Sequence, residues 1–385
     1  MTSPRPTTWP LLVKLDAPAP QQARGGIYAI GNFDGLHRGH QALLERARKL
    51  ARQHGLPWGM LTLEPHPRDV FRPDEPVFRL SPLPMKRRLL RGLGADVLAV
   101  LPFSREMAML EAEDFVRRFL VEGLAAKHVI TGYDFHFGRG RKGDPRLMRT
   151  LGEKYGFEVS IVEQVTNENG IAPFASSAIR THLRRGHVEA AMQELGYWWM
   201  VEGEVVAGEA RGRQMGFPTV NIALPPGAEP MEGIYAMRVR PADAPPAKRP
   251  PAEVPSVDTP PENGAPHSCS SDAGAAQRAD ALPPMPHPSG WFGAGYVGRR
   301  PTFETDGQRV LEVHLLDFDA DLYGRHLCVD FVGFIREDRK FDSMQALQEQ
   351  MQADIATIRA YLSSLQENDP ATRWPLGRLQ HDGLL

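Results

Sequence analysis

Between residue 26 and about residue 163, short apolar runs alternate with stretches whose apolar positions recur every three or four residues. IYAIGNF is followed by HQALLERARKLARQHG, PWGMLTLEP by PLPMKRRLLRGLG, and ADVLAVLPF by EAEDFVRRFLVEGL. KHVITGYDF is followed by PRLMRTLGEKYG, which leads into FEVSIVEQV. The short runs fit buried strands and the longer repeats fit amphipathic helices. Strand and helix alternating in this way predict βαβ units and a mostly parallel sheet, a Rossmann-like α/β domain. In such sheets ligands collect where the carboxyl ends of strands meet helix N-termini. The first strand is expected to end at Asn32, beside the turn GNFDGLHRGH.

After two further helical patterns, SSAIRTHLRRG and HVEAAMQELG, the period changes. From about Trp199 the chain reads MVEGEVVAGEARGRQMGFPTVNIAL, GIYAMRVR, WFGAGYVGRRPTF, RVLEVHLLDFDADLYG and HLCVDFVGFIR. These short strands, punctuated by Gly, Pro and Asp, predict a small antiparallel barrel or sandwich. A last helix is expected over SMQALQEQMQADIATIRAYLSSL, capped by Asp342 or Ser343, with Met344, Leu347, Met351, Ile355, Ile358 and Leu362 packing on the barrel. Residues 241–290 interrupt the second region with 13 prolines, one leucine and no aromatic residue. That composition cannot bury enough apolar surface to offset chain entropy, so a disordered surface insertion between two neighbouring strands is expected.

The organisation that follows is a flexible tail over 1–24, an α/β domain over 25–186, a linker helix over 187–198, a mostly β domain over 199–365 and a flexible tail over 366–385. A formal net charge of −2 and a pI near 6.7 give no general bias toward nucleic acid or an acidic membrane surface. The longest apolar runs, such as VLAVLPF, fall well short of the roughly 18 to 20 residues that span a bilayer. Cys269 and Cys328 cannot make a disulfide framework, and a reducing cytoplasm is the simplest setting.

His37 and His40, three residues apart at a strand–turn–helix junction with Gly31, Gly35 and Gly39, form the first chemical constellation. Unpaired N–H groups and the positive helix end suit a phosphate chain. Two imidazoles there can donate to nonbridging oxygens as charge builds in a phosphoryl or nucleotidyl transfer. Such a turn also reads as a solvated polar loop, and the agreement of glycines, strand and helix favours the chemistry. The basic loop Arg139–Lys142 reads either as a solvated surface or as a clamp on a triphosphate. RNA binding through that loop is disfavoured by the neutral overall charge and the lack of an aromatic platform beside it.

GEARGRQMGFPTVNI, residues 208–222, forms the second constellation. Gly208, Gly212 and Gly216 suit a tight segment near phosphates. Thr219 and Asn221, two apart in a strand, are expected on one side and offer oxygens to Mg²⁺ carrying ATP. In RVLEVHLLDF, Glu312 and His314 take the face opposite Leu311, Val313 and Leu315. A glutamate there can take the proton of an attacking alcohol, or it can be an ordinary solvated strand residue.

The turn resembles the His-x-Gly-His signature of nucleotidyltransferases, and LTLEPHP, TGYDFHFGRGRKGD and ASSAIR resemble further motifs of bacterial FMN adenylyltransferases. GFPTVN, GRRPTF, LEVHLLDFDADLYG and FIREDRKF are similar to the ordered motifs of riboflavin kinase. Their combination resembles the bacterial bifunctional FAD synthetases over residues 25 to about 365, and implies a Rossmann-like nucleotidyltransferase domain followed by a mostly β, six-stranded barrel of riboflavin kinase type with a terminal helix. The resemblance implies catalytic roles for His37, His40 and Glu312. It implies ATP binding by Gly31, Asn32, Phe33, Asp34, Gly39, Ser177, Arg180, Gly212 and Gly216. It implies flavin binding by His66, Asp134 and Phe135, and Mg²⁺ held near Thr219 and Asn221. Riboflavin, FMN, FAD and ATP would be the small-molecule partners of a monomer or weak homo-oligomer. Tyr296 departs from the family's usual Asn. A barrel that binds flavin without catalysis and an adenylyltransferase with a non-flavin acceptor are the rival readings.

Overall fold

The computed structural model describes residues 8–385 apart from 167–169, 171–172, 207–215, 243–281 and 300–308. The first region is a six-stranded, all-parallel sheet made of β1 (Leu11–Lys14), β2 (Ile27–Ile30), β3 (Trp58–Glu64), β4 (Val97–Pro102), β5 (His128–Gly132) and β6 (Glu158–Val162), in the order β1-β4-β3-β2-β5-β6. β2 to β5 are almost wholly buried, as strands covered by helices on both faces must be. The crossovers are α1 (Arg38–His54), α2 (Pro67–Phe71), α3 (Leu83–Leu93), α4 (Ala112–Phe115) and α5 (Pro145–Tyr155), with α4 running on as a π-helical stretch, Val116–Gly123. Two helices, α6 (Ser176–Arg184) and α7 (Val188–Leu195), lead into the second region.

There, β7 (Met200–Val206), β8 (Val220–Ala223), β9 (Gly233–Pro241), β10 (Trp291–Arg299), β11 (Arg309–Leu315) and β12 (His326–Glu337) close an antiparallel barrel in the order β10-β11-β8-β7-β12-β9. The barrel, rather than the sandwich, is the outcome of the strand pattern. β9 and β10 pair with each other, so the proline-rich segment joins neighbouring strands as expected. Residues 243–281 of that segment lie outside the described residues. Its ends are folded: Pro241 closes β9, Leu282 packs on the core and the Pro283 carbonyl accepts the Trp291 indole N–H.

α8 (Met344–Asn368) starts at Ser343, whose hydroxyl accepts the Ala346 N–H at 3.1 Å. Its second half carries the packing through Ile358, Leu362 and Leu365, whereas Met344 is 60% exposed. Asp354 enters the buried stripe because Arg336 pairs with it at 2.7 Å.

Both expected tails are corrected over their described residues, 8–24 and 366–385. Trp9 lies among the guanidinium groups of Arg87, Arg88 and Arg91, and β1 then adds an edge strand to β4. At the other end, α9 (Pro375–His381) places Leu376 and Gln380 fully inside. The boundary between regions is equally solid. Tyr197, Trp198 and Trp199 are each at most 1% exposed, and Trp199 meets Phe78 of the first region and Phe331 of the barrel. One apolar core therefore runs through the joint. No helix among the described residues is long and apolar enough to cross a membrane.

Candidate active sites

The His37–His40 turn follows the carboxyl end of β2, as the alternation of elements requires. His37 is the N-cap of α1, and its Nδ1 accepts the His40 backbone N–H at 3.3 Å. That bond puts the proton of the neutral ring on Nε2, which is left to donate outward. The two imidazoles stack with centroids 3.6 Å apart. Gly39 permits this, since a Cβ there would lie 3.1 Å from His37 Nδ1. Burial holds His37 down at about 4, against a smaller opposing effect of Asp34. Burial, then His37, then Lys86 push His40 well below the ordinary imidazole range. Both rings are thus uncharged at neutral pH, and His40 Nδ1 is buried without a partner.

The turn is held from several sides. Asp34 accepts the backbone N–H groups of Leu80 and Ser81 and Nη2 of Arg180 at 2.6 Å. Gly35, at φ +84°, donates to the Ser81 hydroxyl and accepts from the Tyr197 hydroxyl. Ser176 donates to the Asp34 carbonyl, and Trp199 to the Leu80 carbonyl. Phe33 and Leu36 sit at positive φ, 49° and 38°, a costly conformation for such side chains. Beneath the turn, the buried Lys86 reaches Glu64 at 2.9 Å and Thr62 at 3.2 Å. Glu64 also meets Arg79 at 2.5 Å. His66 caps α2, and burial lowers its pKa first, with Arg79 adding to the effect. On the connections after β3, β4 and β5, Phe71, Phe103, Met109 and Tyr133 leave an apolar rim, with Phe71 and Phe103 in edge contact.

In the barrel, β8, β11 and β10 bring Asn221, Glu312 and Tyr296 into one register row. Directly opposed residues share a face, so the three side chains are neighbours. Leu311, Val313 and Leu315 are buried on the other face, as the alternation predicts. Asn221 is 8% exposed and its Oδ1 has no hydrogen-bond partner. Thr219, just before β8, instead lines an adjoining cavity of about 430 Å³ with Val313, Phe318, Leu322 and Tyr323. His314 Nδ1 bonds to the Pro218 carbonyl at 2.9 Å and fixes the segment bearing Thr219. Oxygen donors, one of them buried and unsatisfied, fit a hard cation of the Mg²⁺ kind.

Comparison with known proteins decides the kinship. The FAD synthetase family model matches residues 19–173 and the riboflavin kinase model residues 195–362. Bifunctional riboflavin kinase/FMN adenylyltransferases from Pseudomonas fluorescens and Escherichia coli (strain K12) are each 34% identical to the chain. The alignments cover 88% and 89% of this chain and 93% and 94% of those proteins. The chain belongs to the bifunctional riboflavin kinase/FMN adenylyltransferase family. A Streptococcus pneumoniae structure described as a macrolide-efflux protein shares the fold, with a TM-score of 0.68, 27% identity and coverage of 90% of this chain and 98% of that one. A member of this family is a transferase with a kinase and an adenylyltransferase domain.

Of the residues expected to bind ligands, the structure gathers Gly31, Asn32, Gly39, His37, His40, Ser177 and Arg180 around the turn. Asp34 and Phe33 are buried and serve the turn itself rather than face outward. Asp134 is exposed, and Phe135 stacks on Phe137. Gly216 is described at φ +85°, while Gly212, Gly208 and the PTF stretch lie outside the described residues. Sequence reasoning missed Lys86, because a charge in a helical pattern reads as a solvated face, and Glu64 and Arg79, because their partners lie on other elements. A lysine on the otherwise apolar stripe Met85–Leu89–Leu90 was the available signal.

Proposed function

We propose that the two steps of FAD synthesis are divided between the two sites. In the barrel, Glu312 takes the proton of the riboflavin 5′-hydroxyl as its oxygen attacks the γ-phosphorus of ATP, and ADP leaves. Thr219 and Asn221 would hold Mg²⁺ with the nucleotide, a cation that neutralises charge on the transferring phosphates. In the first domain, an FMN phosphate oxygen attacks the α-phosphorus of a second ATP and the bond to pyrophosphate breaks. His37 and His40 donate to the oxygens that gain charge there. Gly31, Asn32, Gly39, Ser177 and Arg180 bind that ATP. His66, Asp134, Phe135, the exposed Phe71 and the partly buried Phe103 receive the flat flavin ring, for which an apolar wall is the fitting partner.

The observation that carries the assignment is the stacked, uncharged histidine pair at a helix start, separate from a glutamate aligned with an unsatisfied buried amide oxygen. We place the reactions in the cytoplasm, where thiols such as the buried Cys328 stay reduced, in a monomer or weak homo-oligomer without nucleic acid or membrane partners. The test is chromatography of products from riboflavin, ATP and Mg²⁺. His40→Ala should accumulate FMN without FAD, and Glu312→Ala should make FAD only from added FMN. Loss of both activities in a folded single variant would refute the division.

A further inference from the structure

Lys86 is the one fully buried ammonium in the first domain's described core, and nothing in the reaction as laid out above uses it. Its side chain is 0% exposed, yet its helix, α3, could have placed a leucine there. Burying an ammonium is expensive unless pairing and hydrogen bonds compensate it. The compensation here is specific. Nζ is bonded to Glu64 Oε1 and to Thr62 Oγ1, and Thr62 in turn donates to the Asn32 carbonyl at 3.0 Å. Asn32 belongs to the turn that carries the histidines. A continuous path of hydrogen bonds thus runs from the ammonium to the backbone of that turn.

We propose that Lys86 is a positioning residue for adenylyl transfer, fixing the His37–His40 turn from beneath through Thr62 and placing its ammonium group behind His40. The inference rests on the assignment of adenylyl transfer to that turn. The charges around Lys86 form a closed set. Three cations, Lys86, Arg79 and Arg180, face three carboxylates, Glu64, Asp69 and Asp34. Glu64 serves both Lys86 and Arg79, so it cannot neutralise either fully. His40 feels the ammonium directly: after burial, His37 and then Lys86 oppose its protonation. Both imidazoles are then kept as neutral donors until the negative charge of the nucleotide arrives, and the helix end is not filled by a competing anion attracted to an imidazolium.

The test uses the full chain, because its kinase activity reports on folding. Lys86→Met should lower FAD formation from FMN by on the order of tenfold to a hundredfold, the effect of a small misplacement of reacting groups, while riboflavin phosphorylation is unchanged. The acid limb of its adenylylation pH profile should move to higher pH, since one of the groups opposing His40 protonation is gone. Lys86→Arg should keep the limb in place. Thr62→Val cuts the path to Asn32 but leaves the charge, so it should lower kcat without moving the limb. A Lys86→Met chain with normal FAD formation and an unmoved profile overturns the proposal. If Lys86→Met fails to fold, Thr62→Val adenylylating FMN at the wild-type rate overturns it equally, and a lowered rate supports it. A wild-type chain that phosphorylates riboflavin but makes no FAD overturns the underlying assignment, and the proposal falls with it.

Discussion

Asp369→Ala tests whether the end of the chain is a structural part of the barrel. The carboxylate follows α8 and is wholly buried. It accepts Nη1 of Arg238 at 2.7 Å, the Trp198 indole N–H at 3.0 Å and the Ala371 N–H at 2.9 Å. Its removal leaves Arg238, itself 3% exposed, with only Asp330 at 3.8 Å, and Asp330 is already bonded to Arg240 at 2.7 Å. Two buried arginines would share one carboxylate. Breaking one partner of a buried pair costs about 3–5 kcal/mol, and orphaned indole and amide donors raise the total to about 4–6 kcal/mol. Against a total stability of roughly 5–15 kcal/mol that is a large fraction. Calorimetry should show the barrel's transition lowered by roughly 10–20 °C. Trypsin should cut at Arg373 and Arg378 far faster than in the wild type. Asp369→Asn, which can still accept from Trp198 and Ala371, should fall between. A loss below about 1 kcal/mol, the range of surface substitutions, would show that the segment after Asn368 is not packed in solution.

Two further outcomes follow from buried polar groups. His37 titrates near 4 when folded and near 6.5 when unfolded, so the unfolded chain binds more protons between those values. Stability should therefore fall as pH drops through this window, by roughly 1.5 kcal/mol between pH 6.5 and 5 for this residue. Urea midpoints compared with His37→Gln, which should show a flatter slope, measure it; equal slopes would refute it. Asn221→Ala removes the unsatisfied oxygen beside Glu312. Riboflavin phosphorylation should drop on the order of tenfold and recover partly at high Mg²⁺, with adenylylation unaltered. A kinase with unchanged Mg²⁺ dependence would remove Asn221 from the cation site.

The periodicities of the chain carried the α/β region and the barrel because both signals are local: each strand and helix writes its period into its own residues. The site turn was legible for the same reason, since strand, glycines, histidines and helix are contiguous. What could not be read is non-local. Lys86 is 46 residues from His40 and reaches the turn only through a strand neighbour. The tails misled for a related cause. WPLLVK and WPLGRL look too short and too mixed to fold alone, and both are held by arginines or aromatics from distant elements. Composition judges whether a segment can bury itself; it does not judge whether a preformed groove will bury it.

The joint between the domains shows what that non-locality does to function. The Tyr197 hydroxyl donates to the Gly35 carbonyl of the histidine turn, and Gln380 pairs reciprocally with the backbone of Trp198. Trp199 donates to Leu80, whose backbone N–H in turn binds Asp34, and its ring rests on barrel Phe331. Trp374, in the segment after α8, lies under Arg38, the residue next to His37. Three consecutive aromatic residues thus tie the histidine turn to the barrel and to the C-terminal segment, Tyr197 through Gly35, Trp198 through Gln380 and Asp369, and Trp199 through Leu80 and Phe331. The geometry of the histidine pair is set partly through contacts shared with the barrel, so the two regions are not independent parts of the fold.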